Sequence, residues 1–194
     1  MKLKQIIFTL VVMLSSFANA AVTVTSEADL RTALTTGGDV VLGSNILVTE
    51  RITVPADVTA TLDLNGKAIS MEESIIATAY AINNLGNLTI KDGVGGGSVN
   101  ARGIYNGYGD GDANVATAKI TVLSGTINAK GTNGGAAIFN YGIADIQGGN
   151  FTSIGGYSLN NQAGASMIIA DGVTANNGIY ASNATLVVNG GEIN

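Results

Sequence analysis

The chain has 194 residues, with no Cys, no His, one Pro, 27 Gly and a formal net charge of −5 from only 12% charged residues. The acidic balance argues against nucleic acid and anionic membrane surfaces as partners, because both select basic patches. The missing His and Cys remove Ser-His-Asp and Cys-His nucleophile systems, histidine zinc sites and disulfide staples.

Residues 1–20 have the three-part layout of a secretory signal. Lys2 and Lys4 lead, an apolar run follows from Ile6 to Leu14, and small residues end at Ala18 and Ala20. The run is shorter than the ~20 residues that span a bilayer. The expectation is therefore cleavage after Ala20, export, and no membrane span afterwards.

Residues 21–38 predict a strand and a short capping helix. Ser26 followed by Asp29 resembles a capping box, Leu30, Ala33 and Leu34 share one helical face, and Gly37-Gly38 ends the element. Such a helix would cover the first coil of a stacked array. Val40 to Leu42, Ile46 to Val48 and Ile52 to Val54 then read as three strands of that coil.

Residues 39–194 repeat. A small residue, an aliphatic, any residue and Asn recur as Ala81-Ile82-Asn83-Asn84, Gly103-Ile104-Tyr105-Asn106, Ala137-Ile138-Phe139-Asn140 and Ser158-Leu159-Asn160-Asn161, with a degenerate copy at Gly178-Ile179-Tyr180-Ala181. The aliphatics are 22, 34, 21 and 20 residues apart, a period near 21 with one enlarged interval. Between them lie alternating apolar pairs: Leu62/Leu64, Leu88/Ile90, Ile120/Val122, Ala144/Ile146, Met167/Ile169 and Leu186/Val188. Each is followed by a turn dipeptide such as Asn65-Gly66, Asp92-Gly93 or Gly148-Gly149, where glycine is expected to supply positive φ. Period-2 alternation points each pair inward, and stacking the copies buries one continuous column. The predicted fold is all-β: a single-stranded right-handed parallel β-helix solenoid with a short N-terminal capping α-helix. The stop at Gly190-Gly191-Glu192-Ile193-Asn194 falls within a repeat, so the stack is expected to be incomplete at its C-terminal end, covered by continuing chain or by a second copy.

In such a stack Asn84, Asn106, Asn140 and Asn161 share one register and predict a structural ladder of amides. The residue before each of them, and before Ala181 in the last copy, faces outward: Asn83, Tyr105, Phe139, Asn160 and Tyr180. Tyr105, Phe139, Asn160 and Tyr180 form a candidate glycan-binding strip, since rings pack on sugar faces and amides bond hydroxyls. The rival reading is an aromatic ladder that only stabilises the coils. Asp110, Asp112 and Asn114, in the enlarged interval, have the alternate-oxygen spacing of a calcium loop and are candidate metal ligands. The match ends there, because Val115 and Thr121 stand where glycine and glutamate would be expected, and a plain solvated loop is the alternative. Calcium is the one cofactor the sequence suggests.

The stretches Glu27-Ala28-Asp29-Leu30-Arg31-Thr32-Ala33-Leu34, Ile52-Thr53-Val54-Pro55-Ala56-Asp57-Val58 and Leu62-Asp63-Leu64-Asn65-Gly66-Lys67-Ala68-Ile69-Ser70 resemble the start of bacterial right-handed β-helix surface proteins, adhesin-like members of the pectate-lyase-like superfamily. The later Ala-Ile-x-Asn-x-Gly units match their repeats. The resemblance covers Val22 to Asn194 and implies the fold and handedness, while the same coils serve adhesins, autotransporter passengers, lyases and glycosidases. It implies calcium-binding Asp with a basic residue in lyases, and clustered Asp with His in hydrolases; no matching catalytic motif is present. With the export signal, the resemblance implies a place outside or on the surface of a bacterium, or in its periplasm, and the expected function is non-catalytic adhesion or glycan binding there. The alternatives are a polysaccharide lyase or glycoside hydrolase acting on acidic polysaccharides through Glu72, Glu73, Arg102, Asp110 and Asp112, and a structural stalk or autotransporter passenger fragment.

Overall fold

The computed structural model describes residues 20–194; the signal-like segment, apart from its last residue, lies outside the described residues. A strand, β1 (Val22–Val24), is followed by the helix α1 (Glu27–Thr36). The Ser26 hydroxyl accepts the Asp29 N–H at 3.2 Å, satisfying one of the donors a helix start leaves free. At the other end the Gly37 N–H reaches Ala33 O, with φ at 90°, a conformation glycine adopts without penalty. Leu30, Ala33 and Leu34 are buried. Arg31 donates to the carbonyls of Glu50 and Arg51, tying the helix to the first rung.

The strands then run as rungs. The first holds β2 (Gly38–Leu42), β3 (Ile46–Val48) and β4 (Ile52–Val54). The second holds β5 (Thr59–Asp63), β6 (Ala68–Met71) and β7 (Ile82–Asn84). The third holds β8 (Asn87–Lys91), β9 (Ser98–Ala101) and β10 (Ile104–Asn106). The fourth holds β11 (Lys119–Val122), β12 (Thr126–Ala129) and β13 (Ile138–Asn140). In the next two, one long strand replaces the first pair: β14 (Ile143–Ser153) with β15 (Leu159–Asn161), and β16 (Ser166–Ala175) with β17 (Ile179–Ala181). Last come β18 (Thr185–Val188) and β19 (Glu192–Ile193).

Each strand pairs in parallel with its equivalent one rung away. The result is a 13-stranded sheet curled into a half-barrel and a 6-stranded sheet of β4, β7, β10, β13, β15 and β17, a solenoid-like architecture. Inward side chains stack in columns. Val40, Leu62, Ile90, Val122, Ile146 and Ile169 form one, and Ile52, Ile82, Ile104, Ile138 and Leu159 another, all buried. Each such side chain contributes about 1.5–3 kcal/mol by leaving water. At the last rung the same positions open to solvent, Val188 being 50% exposed. Among the described residues no helix is long and apolar enough to cross a membrane.

Two local expectations are corrected. Leu62 pairs with Ile90 and Ala60 with Leu88, so the pair equivalent to Leu88/Ile90 is Ala60/Leu62 and not Leu62/Leu64. Leu64 is an additional buried residue beyond the end of β5. Glycine also has two jobs at the corners. Gly66, Gly125, Gly149 and Gly191 have positive φ as expected, but Gly93 and Gly172 do not. At Gly93 a Cβ would come within 2.9 Å of the Asp63 carboxylate, which accepts the Gly93 N–H. In β14 and β16 the corner is absorbed into a continuous strand with a register shift after Ile146.

The corner between β8 and β9 is organised by Asp92. Its carboxylate accepts the N–H groups of Gly66 at 2.8 Å and Gly97 at 2.6 Å. Burial alone would raise its pKa, but these backbone donors, with those of Val94 and Gly95, outweigh burial and hold it below the ordinary carboxylate range. A depressed folded pKa stabilises fully above the unfolded value, and the contribution is lost as pH falls through the folded one. Asp92→Asn is therefore expected to lose about 1–3 kcal/mol at pH 7. The gap to the parent should shrink below about pH 4, where the unfolded carboxyl protonates. Urea unfolding of both proteins at pH 7 and pH 3 checks this; an equal gap at both values contradicts it.

Candidate functional site: a tyrosine-rich sheet face

The outward positions of the 6-stranded sheet align Thr53, Asn83, Tyr105, Phe139, Asn160 and Tyr180 in register. Alternation along a strand forces this once the aliphatics point in. Insertions between strands carry further rings onto the same face. Tyr80 arrives from the segment between β6 and β7, and Tyr108 from the loop between β10 and β11. All six tyrosines of the chain lie here, together with Phe139.

They form two groups. In the first, Tyr80 and Tyr108 both stack on Tyr105, with centroids 3.6 and 4.3 Å away. Phe139 meets Tyr105 edge-on at 5.8 Å and stacks with Tyr141 at 5.4 Å. The Arg51 guanidinium lies 6.0 Å from the ring centres of Tyr105 and Tyr108, and that of Arg102 lies 5.7 Å from Tyr80. The second group is Tyr157 and Tyr180, 5.3 Å apart and 48% and 37% exposed. Asn160 stands between the groups and accepts Gln162 Nε2 at 2.5 Å. Burial pushes the hydroxyls of Tyr80, Tyr105 and Tyr141 above the usual phenol range, so they stay neutral and able both to donate and to accept.

The inward amides form a different feature. Asn84, Asn106 and Asn140 each donate to the Oδ1 of the next, at 2.7 Å, ending on Asn161; all four are fully buried. Each of the first three also bonds backbone groups near the bend beyond its strand and on a later rung, as Asn84 does with the Gly86 N–H and carbonyl and with the carbonyl of Lys119 at the start of β11. They are a structural spine and are closed to any ligand.

The loop carrying Asp110, Asp112 and Asn114 folds onto this face. The Asp110 carboxylate pairs with Arg51, and Asn114 Oδ1 turns back to the Gly109 N–H at 3.0 Å. Beneath the loop Asn83 is outward but only 2% exposed; it donates to Tyr108 O at 2.9 Å, and its Oδ1 has no partner. Among the described residues no side-chain hydrogen bond or ion pair joins any two of Glu72, Glu73, Arg102, Asp110 and Asp112, the acidic and basic residues weighed for catalysis. Arg102 donates to Asn133 O and, among the described residues, makes no ion pair, while Glu73 lines a hollow with Ile76, Ala77, Lys130 and Ile154. Three shallow hollows of about 450–560 Å³ are lined by other residues, while the face itself grades from the buried Tyr80 to the exposed Tyr157 and Tyr180.

The register argument places Tyr105, Phe139, Asn160 and Tyr180 on one face but misses Tyr80, Tyr108, Tyr141, Tyr157 and Arg51. A signal for the tyrosines exists: every one lies within four residues of a repeat aliphatic, Tyr80 and Tyr157 two before, Tyr141 three after and Tyr108 four after. Arg51 has no such mark. Compared with protein-family models, curated proteins and solved structures, the chain gives no match.

Proposed function

We propose that this chain is an exported or surface-displayed right-handed parallel β-helix of the pectate-lyase-like kind, and that it holds glycans non-catalytically through its tyrosine face. The observation that carries this reading is the placing of every tyrosine on one sheet face, where Tyr157 and Tyr180 are exposed, Tyr105, Tyr108 and Tyr141 half-buried and Tyr80 buried. A purely structural ladder needs rings but no hydroxyls, and it gains little from rings as exposed as Tyr157 and Tyr180. Sugars present both an apolar C–H face and hydroxyls, which neutral phenols and amides match. The exposure of Tyr157 and Tyr180 also suits contact better than chemistry, since reactive sites exclude water. Rung-by-rung parallel pairing supports the β-helix, and the layout of residues 1–20 supports export.

The test is a glycan array probed with the parent and with Tyr105→Ser/Phe139→Ser/Tyr180→Ser. The parent should be retained, and the variant should lose about tenfold or more in affinity, as expected when rings worth about 1 kcal/mol each are removed. Tyr180→Ser alone, which removes an exposed ring and leaves the stack around Tyr105 intact, should shift affinity in the same direction with an unchanged Tm. No retained glycan, or release of unsaturated or shortened sugars from a polysaccharide incubated with the parent, overturns the reading.

A further inference from the structure

We infer that this chain binds one tetrahedral oxyanion, phosphate or sulfate, beside Arg102 and Lys130 at the corner beyond β9 and β12. Ala101 and Ala129, the last residues of those strands, pair across neighbouring rungs, and the Lys130 N–H bonds the Ala101 carbonyl. Arg102 and Lys130 follow directly, so two cationic residues leave neighbouring rungs side by side, at the strand spacing of about 4.8 Å.

Like charges placed opposite one another on adjacent strands are destabilising, and more so where water is partly excluded. Both residues are half-buried, and among the described residues no carboxylate stands within ion-pair distance of either. Arg102 commits Nη2 to Asn133 O at 2.8 Å and lies 5.7 Å from the Tyr80 ring centre, while its Nε is buried without an acceptor. A hollow of about 480 Å³ lies alongside, lined by Lys130 with Glu73, Ile76, Ala77 and Ile154. Gly131 touches both Arg102 and the wall of this hollow: a Cβ there would lie 2.9 Å from Arg102 Cγ and 3.2 Å from Ala77 O. The missing partner of the two cations is an anion.

The loop after Lys130 supplies further donors. Among the described residues the N–H groups of Gly131, Thr132, Asn133 and Gly135 meet no acceptor, and only that of Gly134 is taken, by Gly155 O. Successive free N–H groups at a bend hold anions in many folds. The donors also set the class. A carboxylate is planar and best met by the parallel N–H pair of a whole guanidinium fork, and here one arm is held by Asn133 O. A tetrahedral oxyanion presents oxygens in several directions, which suits a guanidinium, an ammonium and a backbone bend acting together.

The experiment is calorimetric titration of the parent, Lys130→Gln and Glu73→Gln with sodium phosphate, sulfate and acetate at constant ionic strength. The parent should bind phosphate or sulfate at one saturable site, and acetate about tenfold more weakly or worse. Lys130→Gln, which leaves the backbone bond to Ala101 in place, should lose about tenfold in affinity, as expected for one charge-assisted hydrogen bond. Glu73→Gln removes a repelling carboxylate from the hollow and should gain about threefold. Saturating anion should raise the Tm of the parent more than that of Lys130→Gln, because only a ligand of the folded state stabilises by mass action. No saturable heat with either oxyanion, acetate held as tightly, Lys130→Gln binding as well as the parent, or Glu73→Gln binding no better overturns the inference. An equal rise in Tm in the parent and Lys130→Gln overturns it too, since that marks general exclusion of salt from the protein surface.

Discussion

Asn106→Ala is expected to lower the Tm by about 10 °C, the loss of roughly 3–5 kcal/mol in a chain of this size. One side chain is removed, but four contacts go with it. Asn106 donates to Asn140 Oδ1 at 2.7 Å, to Ile143 O at 3.0 Å and to Ala118 O at 3.2 Å, and accepts from Asn84 at 2.7 Å. The carbonyls of Ala118 and Ile143 would lose this donor inside the stack, where water cannot replace it, and each such loss costs about 1–3 kcal/mol. The ladder's end behaves differently. Asn161 accepts from Asn140 and donates to Thr185 O, so Asn161→Ala should cost about half as much. The rungs at either side already dispense with the amide, having Val54 and Ala181 in register with it. Thermal unfolding of both variants checks the ranking; equal losses would mean that the ladder acts as separate turns and not as a connected spine.

Gly103→Ala should be at least as damaging, and for a steric reason. A Cβ at this position would lie 1.7 Å from Ala136 O and 2.9 Å from its carbonyl carbon, and the residue has φ of 141°. Neither side can give way. Ile104 N–H bonds Ala137 O directly beside the contact, and the Ala81 N–H holds the Gly103 carbonyl from the previous rung. Backbone strain and overlap together are expected to cost about 3–5 kcal/mol. Gly95 is the control: it has φ of 94° and open space around its missing Cβ. Gly95→Ala should therefore show the strain alone, about 1–2 kcal/mol. Because Gly103 leads into Ile104-Tyr105, its substitution should also disturb the tyrosine stack, visible as lost near-ultraviolet circular dichroism. A Gly103→Ala protein as stable as Gly95→Ala would show that the rungs can slide apart at little cost.

Much of this architecture is written in the order of residues. The alternation of Leu88/Ile90, Ile120/Val122 and Met167/Ile169 commits those segments to strands with one buried face, and a recurrence near 21 residues means that no copy can bury that face except on its neighbour. Ser26 and Gly37 bound the helix because capping depends on the few backbone groups beside them, which are local in sequence. The register of Tyr105, Phe139, Asn160 and Tyr180 comes from the same alternation.

Where loops intervene, the sequence alone decides less. The pairing of Ala60/Leu62 with Leu88/Ile90, two residues off the apparent Leu62/Leu64 motif, depends on which backbone groups meet across rungs, and both phases of that motif look equally apolar. The assembly of the ring face depends on loops of irregular length, which deliver Tyr80 and Tyr108 onto Tyr105, bring Asp110 to Arg51 across 59 positions of chain and bury Asn83 beneath Tyr108. Periodicity therefore determined the strands, their inward columns and the amide spine, because each of these is set by a repeat that stacks on itself. Only the tertiary structure decided which rings, cations and carboxylates share a surface, because those contacts join residues that no repeat relates.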